Sequence, residues 1–489
     1  MPNKPTDRVA TRDSFVEQHT IEVIPQAERH GRPFSLFTIW FNASLGPLTL
    51  VTGALATQVF GLNFWWALIA MLFGNLVGGV LMALHSAQGP KLGVAQMIQS
   101  RGQFGMQGSL LVVLLVLIMY LGFFASNLVT GAESLQGVWP SVPGSVATLI
   151  LAVVGLVVTV VGYDLIHRAA AWMTYAFGTL TVVIIAAIFV KGLPSTFFHV
   201  GAFNWAGFVG MITVCVLWQI AYAPYVSDYS RYMPATTAGM RSTFWWTYAG
   251  TVLSTVLQML TGVMVALMSK PGSDVIGGLN GILGSTLGKI TLLSFFLGTA
   301  VSNSMNLYGA ILTVVTAVHS FVAKWLPRPR MRVVLAVVLG GVSTVIALAL
   351  GGGNFLVNWS NFIAVLQYVL VPWTAINLID FYLVRRGDYD VKSFFRADGG
   401  IYGRWNWTAL SVYAAGFLVE IPFMATTLYT GPIAARLHDT DISWIVSLVV
   451  TVPLYTVVAR LAARRGRSGY GSVARLGADN LRTEPQEIA

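Results

Sequence analysis

Twelve runs of about 20 predominantly apolar residues, each long enough to cross a bilayer as a helix, begin near Phe34, Leu62, Gly108, Gly144, Ala170, Gly207, Phe244, Thr291, Met331, Asn354, Trp407 and Ile442. Such a chain is expected to be an all-α polytopic membrane protein with twelve transmembrane helices. Two of the runs are interrupted at matching places, the first by WFNASLGP, ending at Pro47, and the sixth by WQIAYAP, ending at Pro224. A spanning helix satisfies its backbone N–H and C=O groups internally, so an interruption persists only where the freed groups line a cavity. Corresponding interruptions in two halves of a membrane chain point to a solute site near the bilayer midplane.

Composition agrees. Of 489 residues, 55% are hydrophobic and only 10% charged, against roughly 25% charged in a soluble domain. Cytoplasmic loops should hold the Lys and Arg excess, and the loops alternate accordingly. With the N-terminus inside, the inner segments carry Lys4, Arg8, Arg12, Arg29 and Arg32, then Lys91 and Arg101, Arg168, Arg231 and Arg241, Lys324, Arg328, Arg330 and Arg332, and Arg385, Arg386, Lys392, Arg396 and Arg404. The outer loops hold Lys191, Lys270, Lys289 and Arg436, and the run Arg460, Arg464, Arg465 and Arg467 returns the C-terminus to the inside. The net charge of +10 is thus mainly a topology signal. Its dispersal over loops argues against nucleic-acid binding. The first 33 residues are polar and lack a short apolar core with a cleavage site, so no cleaved leader is expected. The lone Cys215 leaves no disulfide framework or cysteine metal site.

The expected organisation is a tail over residues 1–33, a first repeat over 34–190, a second over 206–384, two further spans over 405–463, and a tail over 464–489. Five spans per copy force the two copies into opposite orientations. Weak internal similarity supports this five-plus-five inverted repeat: Gly122–Asn127 of span three and Gly298–Asn303 of span eight both read G-x-x-[AV]-S-N. Spans eleven and twelve fall outside the repeat and serve packing or dimerisation, which leaves monomer and homodimer open. The glycine-rich stretch VIGGLNGILGSTLG (275–288) is too short to span and reads as a re-entrant or surface gate, or equally as a plain outer loop.

Four motifs in order, GPKLGVAQMIQSRGQFG after span two, VSDYSRYMP after span six, SNSMNLYGA in span eight and PWTAINLIDFYLVRRGDYD closing span ten, resemble the nucleobase:cation symporter-1 family. That family includes purine and cytosine permeases and hydantoin transporters, and the resemblance covers roughly residues 33–407. It implies the LeuT-like inverted repeat with broken helices 1 and 6, and uptake of a small heterocycle coupled to a cation. It also places the tract from Gln96 to Arg101 as a cytoplasmic interfacial helix with a gating role.

A planar nucleobase has two π faces and a rim of donors and acceptors, so its site needs flat apolar groups and in-plane amides. In span three the family's aromatic, followed four positions later by an amide, matches Phe123 and Asn127, which share a helix face; Tyr120 and Phe124 compete with Phe123. Span six offers Trp218, Gln219 and Tyr222, with Gln219 falling where some relatives have the ring. In span eight Asn306 matches the family's substrate-facing Asn, and Asn303 lies one turn earlier. Asn42 and Ser44 flank the first interruption.

Sodium-coupled relatives imply an ion site at Asn42 or Leu45, Gly298, Val301 and Ser302. Valine offers no oxygen at position 301, which weakens a hard-cation cage and favours a proton. Glu420, deep in the apolar GFLVEIPFM but outside the repeat, reads as a carboxylate able to titrate or, alternatively, as a structural ion pair or interfacial residue. Asp228 and Asp380 sit at cytoplasmic span ends near Arg231 and Arg385, as gate or anchor ion pairs. Scattered histidines (His85, His167, His199, His319 at span ends) show no metal-ligand spacing, and the phosphate loop of an ATP-driven pump is missing. No enzyme and no cofactor are expected.

The expected function is cation-coupled import, across a plasma membrane of the bacterial inner-membrane kind, of cytosine or a purine such as hypoxanthine or adenine. The coupling ion is a proton or sodium. Permeases for allantoin, hydantoin or thiamine are the alternatives within this class. A channel or a substrate-sensing membrane receptor is the alternative outside it.

Overall fold

The computed structural model describes residues 21–161, 163–269, 275–322, 325, 329–351, 355–465 and 470, with the side chains of 161–172 and 329 outside that description. The cations Lys4, Arg8, Arg12, Arg168, Lys270, Lys324, Arg328 and Arg467, and most of both expected tails, lie outside the described residues. The helices are α1 (Phe34–Ala43), α2 (Pro47–Gln58), α3 (Phe64–Ser86), α4 (Gly89–Leu92), α5 (Gln96–Phe104), α6 (Leu110–Val138), α7 (Gly144–Val161), α8 (Tyr163–Lys191), α9 (Trp205–Ile220) and α10 (Ala223–Ser230). They continue as α11 (Thr237–Met268), α12 (Val275–His319), α13 (Pro329–Leu350), α14 (Phe355–Ile379), α15 (Trp407–Glu420), α16 (Pro432–Arg436) and α17 (Ser443–Arg464). Among the described residues nine helices are long and apolar enough to span a membrane, or ten if the bent pair α1 and α2 counts as one. Two shorter apolar helices, Gly144–Val160 and Trp407–Phe423, stand at the remaining span positions, four and eleven.

Helix contacts reproduce the repeat. Span one (α1) packs on span seven (α11), and its counterpart span six (α9) packs on span two (α3). Span three (α6) touches spans eight and nine (α12, α13), while span eight touches spans three and four (α6, α7). Each contact maps to its partner when the two halves exchange. The two G-x-x-[AV]-S-N segments meet where α6 crosses α12, with Asn303 Nδ2 donating to the Phe124 carbonyl at 3.3 Å. Where α2 crosses α11, a Cβ at Gly53 would collide with the Met259 backbone and one at Gly262 with that of Leu50. Only glycine permits that approach.

Two expectations change. The segment Gln96–Phe104 is helical but wholly buried, so it is an internal helix rather than an interfacial one. Arg101 holds it there by donating to the carbonyls of Phe394 at 2.8 Å and Thr316 at 3.0 Å. An uncompensated guanidinium would not survive such burial. The stretch 275–288 is not an open loop but the start of α12, broken at Gly284 with φ 77°, and Val275, Ile276 and Leu279 on it are buried. Beyond span ten, Arg385 Nε pairs with Asp380 at 2.9 Å, and Tyr455 of α17 also donates to Asp380, so this carboxylate anchors span ten to span twelve.

Candidate functional site

The two interruptions place their freed groups side by side. Proline lacks an N–H, so Pro47 leaves the carbonyl four residues earlier, on Ala43, without its helical donor. Tyr222, at the second interruption, donates its phenol to that same Ala43 carbonyl at 3.4 Å. Around this junction lies a narrow cavity of about 40 Å³, lined by Ala43 and Gly46–Thr49 of the first span, Phe123 and Asn127 of α6, Trp218, Tyr222 and Tyr225 of the sixth span, and Thr299, Ser302, Met305 and Asn306 of α12. No lining side chain is a carboxylate, an ammonium, a guanidinium or an imidazole.

Rings dominate the walls. Phe123 meets Trp218 edge-on with centroids 6.0 Å apart, and Trp218 meets Tyr222 at 6.1 Å. Trp359 of α14 backs both, 5.4 Å from Phe123 and 6.3 Å from Trp218, and donates its indole N–H to Thr52 of α2 at 3.0 Å. That bond ties span ten to span one over the cavity. The Trp218 indole N–H has no partner of its own.

Of the residues read from the sequence, Phe123, Asn127, Trp218, Tyr222, Ser302 and Asn306 line the cavity. The competing aromatics of span three turn elsewhere: Tyr120 is buried against Tyr225 at 5.2 Å, and Phe124 is buried where its carbonyl holds Asn303. Gln219 is also placed elsewhere. Its amide N–H₂ donates to Asn75 at 2.9 Å and Thr255 at 3.3 Å while its carbonyl accepts from Thr251 at 2.7 Å, which commits it to packing among α3, α9 and α11. Asn42 and Ser44 are buried just behind the wall, with Asn42 Oδ1 and Ser44 Oγ unpartnered. Asn303 is buried off the cavity. Thr49, Tyr225, Thr299 and Met305 were not singled out by sequence. Thr299 and Met305 lie within a turn of Ser302, so a full helix-face reading of span eight would have reached them.

Of the expected ion ligands, Ser302 lines the cavity and the others lie in packed surroundings. The Asn42 carbonyl accepts from the N–H groups of both Ser44 and Leu45, a Cβ at Gly298 would strike the Phe177 ring, and Leu45 is fully buried.

A family model described as "Permease for cytosine/purines, uracil, thiamine, allantoin" matches residues 23–447. The "Putative purine-cytosine permease YxlA" of Bacillus subtilis is 40% identical over 465 residues, 93% of this chain and 98% of its own. Among solved structures, the inward-facing conformation of Mhp1 superposes with a TM-score of 0.74 at 17% identity, over 97% of this chain and 99% of that one. Mhp1 closed with bromovinylhydantoin bound, titled a nucleobase-cation-symport-1 family transporter, gives 0.72 at 17% identity over 92% and 97%. At that identity the likeness shows the shared LeuT-like fold.

Proposed function

Since this chain belongs to the nucleobase-cation-symport-1 family of purine and cytosine permeases, and is therefore a multi-pass cation-coupled transporter of small heterocycles rather than an enzyme, we propose that its own substrate is a neutral nucleobase, cytosine or a purine such as hypoxanthine or adenine. The observation that carries this is the uncharged cavity with aromatic walls and two amides, Asn127 and Asn306. A zwitterion or an ion would need compensating charge in such a desolvated site. A flat neutral ring needs what is there: π surfaces of Phe123, Trp218 and Tyr222 to lie against, and amides to bond its rim.

The reading extends to orientation and coupling. Both termini face the cytoplasm of a bacterial inner membrane, following the Lys and Arg asymmetry of the loops. The segments 34–190 and 206–384 act as the two inverted repeats, and import proceeds by alternating access around the fixed cavity. The coupling cation is a proton. Val301 supplies no oxygen, and the Asn42 carbonyl is already occupied by two N–H donors, so the sodium set Asn42, Leu45, Gly298 and Ser302 is short of ligands for a hard cation.

The test is a thermal-shift screen of nucleobases on purified protein, followed by uptake into vesicles. Cytosine or a purine should stabilise the protein, and Asn306→Ala should weaken that ligand by about 1 to 2 kcal/mol through the lost hydrogen bonds while leaving the unliganded melting temperature unchanged. Stabilisation by none of these bases, or equal affinity in the variant, overturns the assignment.

A further inference from the structure

Outside the repeat, spans ten, eleven and twelve enclose two carboxylates with opposite surroundings. Asp441, just before α17, accepts four hydrogen bonds: from the Tyr368 phenol at 2.5 Å and the Ala425 N–H at 2.9 Å on one oxygen, and from the Ser443 N–H at 2.9 Å and hydroxyl at 2.6 Å on the other. Glu420, the last residue of α15, is fully buried, and neither of its oxygens is bonded: the nearby Ser447 hydroxyl donates instead to the Gly416 carbonyl at 3.5 Å. A carboxylate with several donors is stabilised as the anion. One with none, in an apolar span, is stable only when neutral or neutralised.

The neighbours supply no neutralising charge. The charged or titratable groups acting with Glu420 are Asp441, Tyr368 and Tyr413. Among the elements packed on α15, α17 presents Ser443, Ser447 and Thr451 at this level, with its Arg460 and Arg464 at the opposite end. From α14 come Gln367 and Tyr368. The turn Ile421–Phe423 that follows brings no ionisable group, and Arg101 of α5 is engaged with the Phe394 and Thr316 carbonyls. Two further polar atoms point the same way. Gln367 donates to Ser443 Oγ at 3.2 Å, inside the Asp441 network, yet its carbonyl oxygen has no donor, and the buried Thr451 hydroxyl is unpartnered too.

We propose that Glu420 is the protonation site through which this transporter is coupled to a proton gradient, with the fully hydrogen-bonded Asp441 as its neighbour. This rests on the proton-coupled nucleobase reading above and gives it a location. The two carboxylates differ in surroundings, Asp441 with four donors and Glu420 with no bonded oxygen, the kind of contrast by which one fold separates acid from base. Loading forms one O–H bond on Glu420 with a proton from the outer phase, near which α15 ends on the cytoplasmic-termini topology; unloading breaks that bond and delivers the proton to the cytoplasm. No electrons move.

The pair also touches the substrate cavity through two helices. Span ten carries Gln367 and Tyr368 on one side and Trp359, against Phe123 and Trp218, on the other. In span twelve the Trp444 indole donates to Thr213 of α9 at 3.0 Å, and α9 carries Trp218. Deprotonating Glu420 places a buried negative charge beside the Asp441 carboxyl. That charge biases spans ten to twelve toward an arrangement that hydrates it, which is the differential state energy that coupling requires.

The experiment uses the full chain in proteoliposomes, with labelled cytosine or hypoxanthine as probe. Glu420→Gln keeps the shape of a protonated glutamate but cannot ionise. It should retain exchange of internal for external substrate and lose accumulation driven by an imposed pH gradient by at least about tenfold. Accumulation equal to the native protein overturns the proposal, as does native accumulation that follows sodium and ignores the pH gradient. An infrared spectrum at neutral pH adds a substrate-independent readout: a protonated-carboxyl C=O band in the native protein that vanishes in Glu420→Gln is expected, and no such band overturns the site. Should the native protein move no nucleobase, the substrate reading falls, and the infrared result alone decides Glu420.

Discussion

At the first interruption the chain leaves α1 at Ala43, crosses Ser44–Gly46 and re-enters as α2 bent by 61°; at the second, α9 and α10 are separated by Ala221 and Tyr222, whose backbone angles stay helical, and the whole runs as one 26-residue span. Both contain a proline. The residue before proline is pushed toward extended conformations, and at the first site Gly46 takes one, with ψ 168°. Ala223, before Pro224, instead remains inside α10, so the second proline only deletes a hydrogen bond to the Ile220 carbonyl. The bent span therefore brings backbone to the cavity, while the continuous one brings rings, Trp218, Tyr222 and Tyr225. The Tyr222 bond to the Ala43 carbonyl joins the two contributions.

Four substitutions break or sharpen that contrast. The largest effect is expected from Gly53→Val, which drives a side chain into the Met259 backbone and undocks α2, the bent half of span one, from α11. A loss of about 2 to 3 kcal/mol, as overpacking costs, should appear in detergent denaturation, and a native-like melting curve would show that α2 is free to shift. Next comes the proline pair. Pro47→Ala removes the constraint that holds Gly46 extended and should lower uptake about tenfold, or 1.4 kcal/mol, whereas Pro224→Ala, in a helix already continuous, should leave uptake close to native. Equal losses in the two variants would mean that bending is not what separates the two sites. The smallest effect belongs to Gly46→Ala. With φ −79° and no atom within 4 Å of the added Cβ, stability should stay within about 0.5 kcal/mol; a larger loss would make the glycine, not the proline, the source of the bend.

Much of this was legible in the residues. The apolar runs locate the spans, and α7 and α15 start at the expected Gly144 and Trp407. Helices α8 and α11 begin earlier than their apolar runs because polar turns such as Thr237–Thr243 extend the helix beyond its apolar part. The two G-x-x-[AV]-S-N segments of spans three and eight lie on helices that pack against each other. What escaped were positions decided by distant partners. Gln96–Phe104 carries the Gln, Ser and Arg of a surface helix, yet the Phe394 and Thr316 carbonyls make its burial tolerable. Gln219 sits beside Trp218 in sequence but is claimed by Asn75, Thr251 and Thr255.

The sequence by itself determined the membrane, the spans, the family and the kinds of group that meet a ring, because hydropathy, proline chemistry and motif order are properties of neighbours along the chain. Only the tertiary structure decided that Phe123 rather than Tyr120 or Phe124 faces the cavity, that the first span bends by 61° at its proline while the sixth stays one continuous span, and that Glu420 lies beside a satisfied Asp441. A helix offers a side chain in every direction within a turn, and the direction that matters is chosen by the helices packed against it.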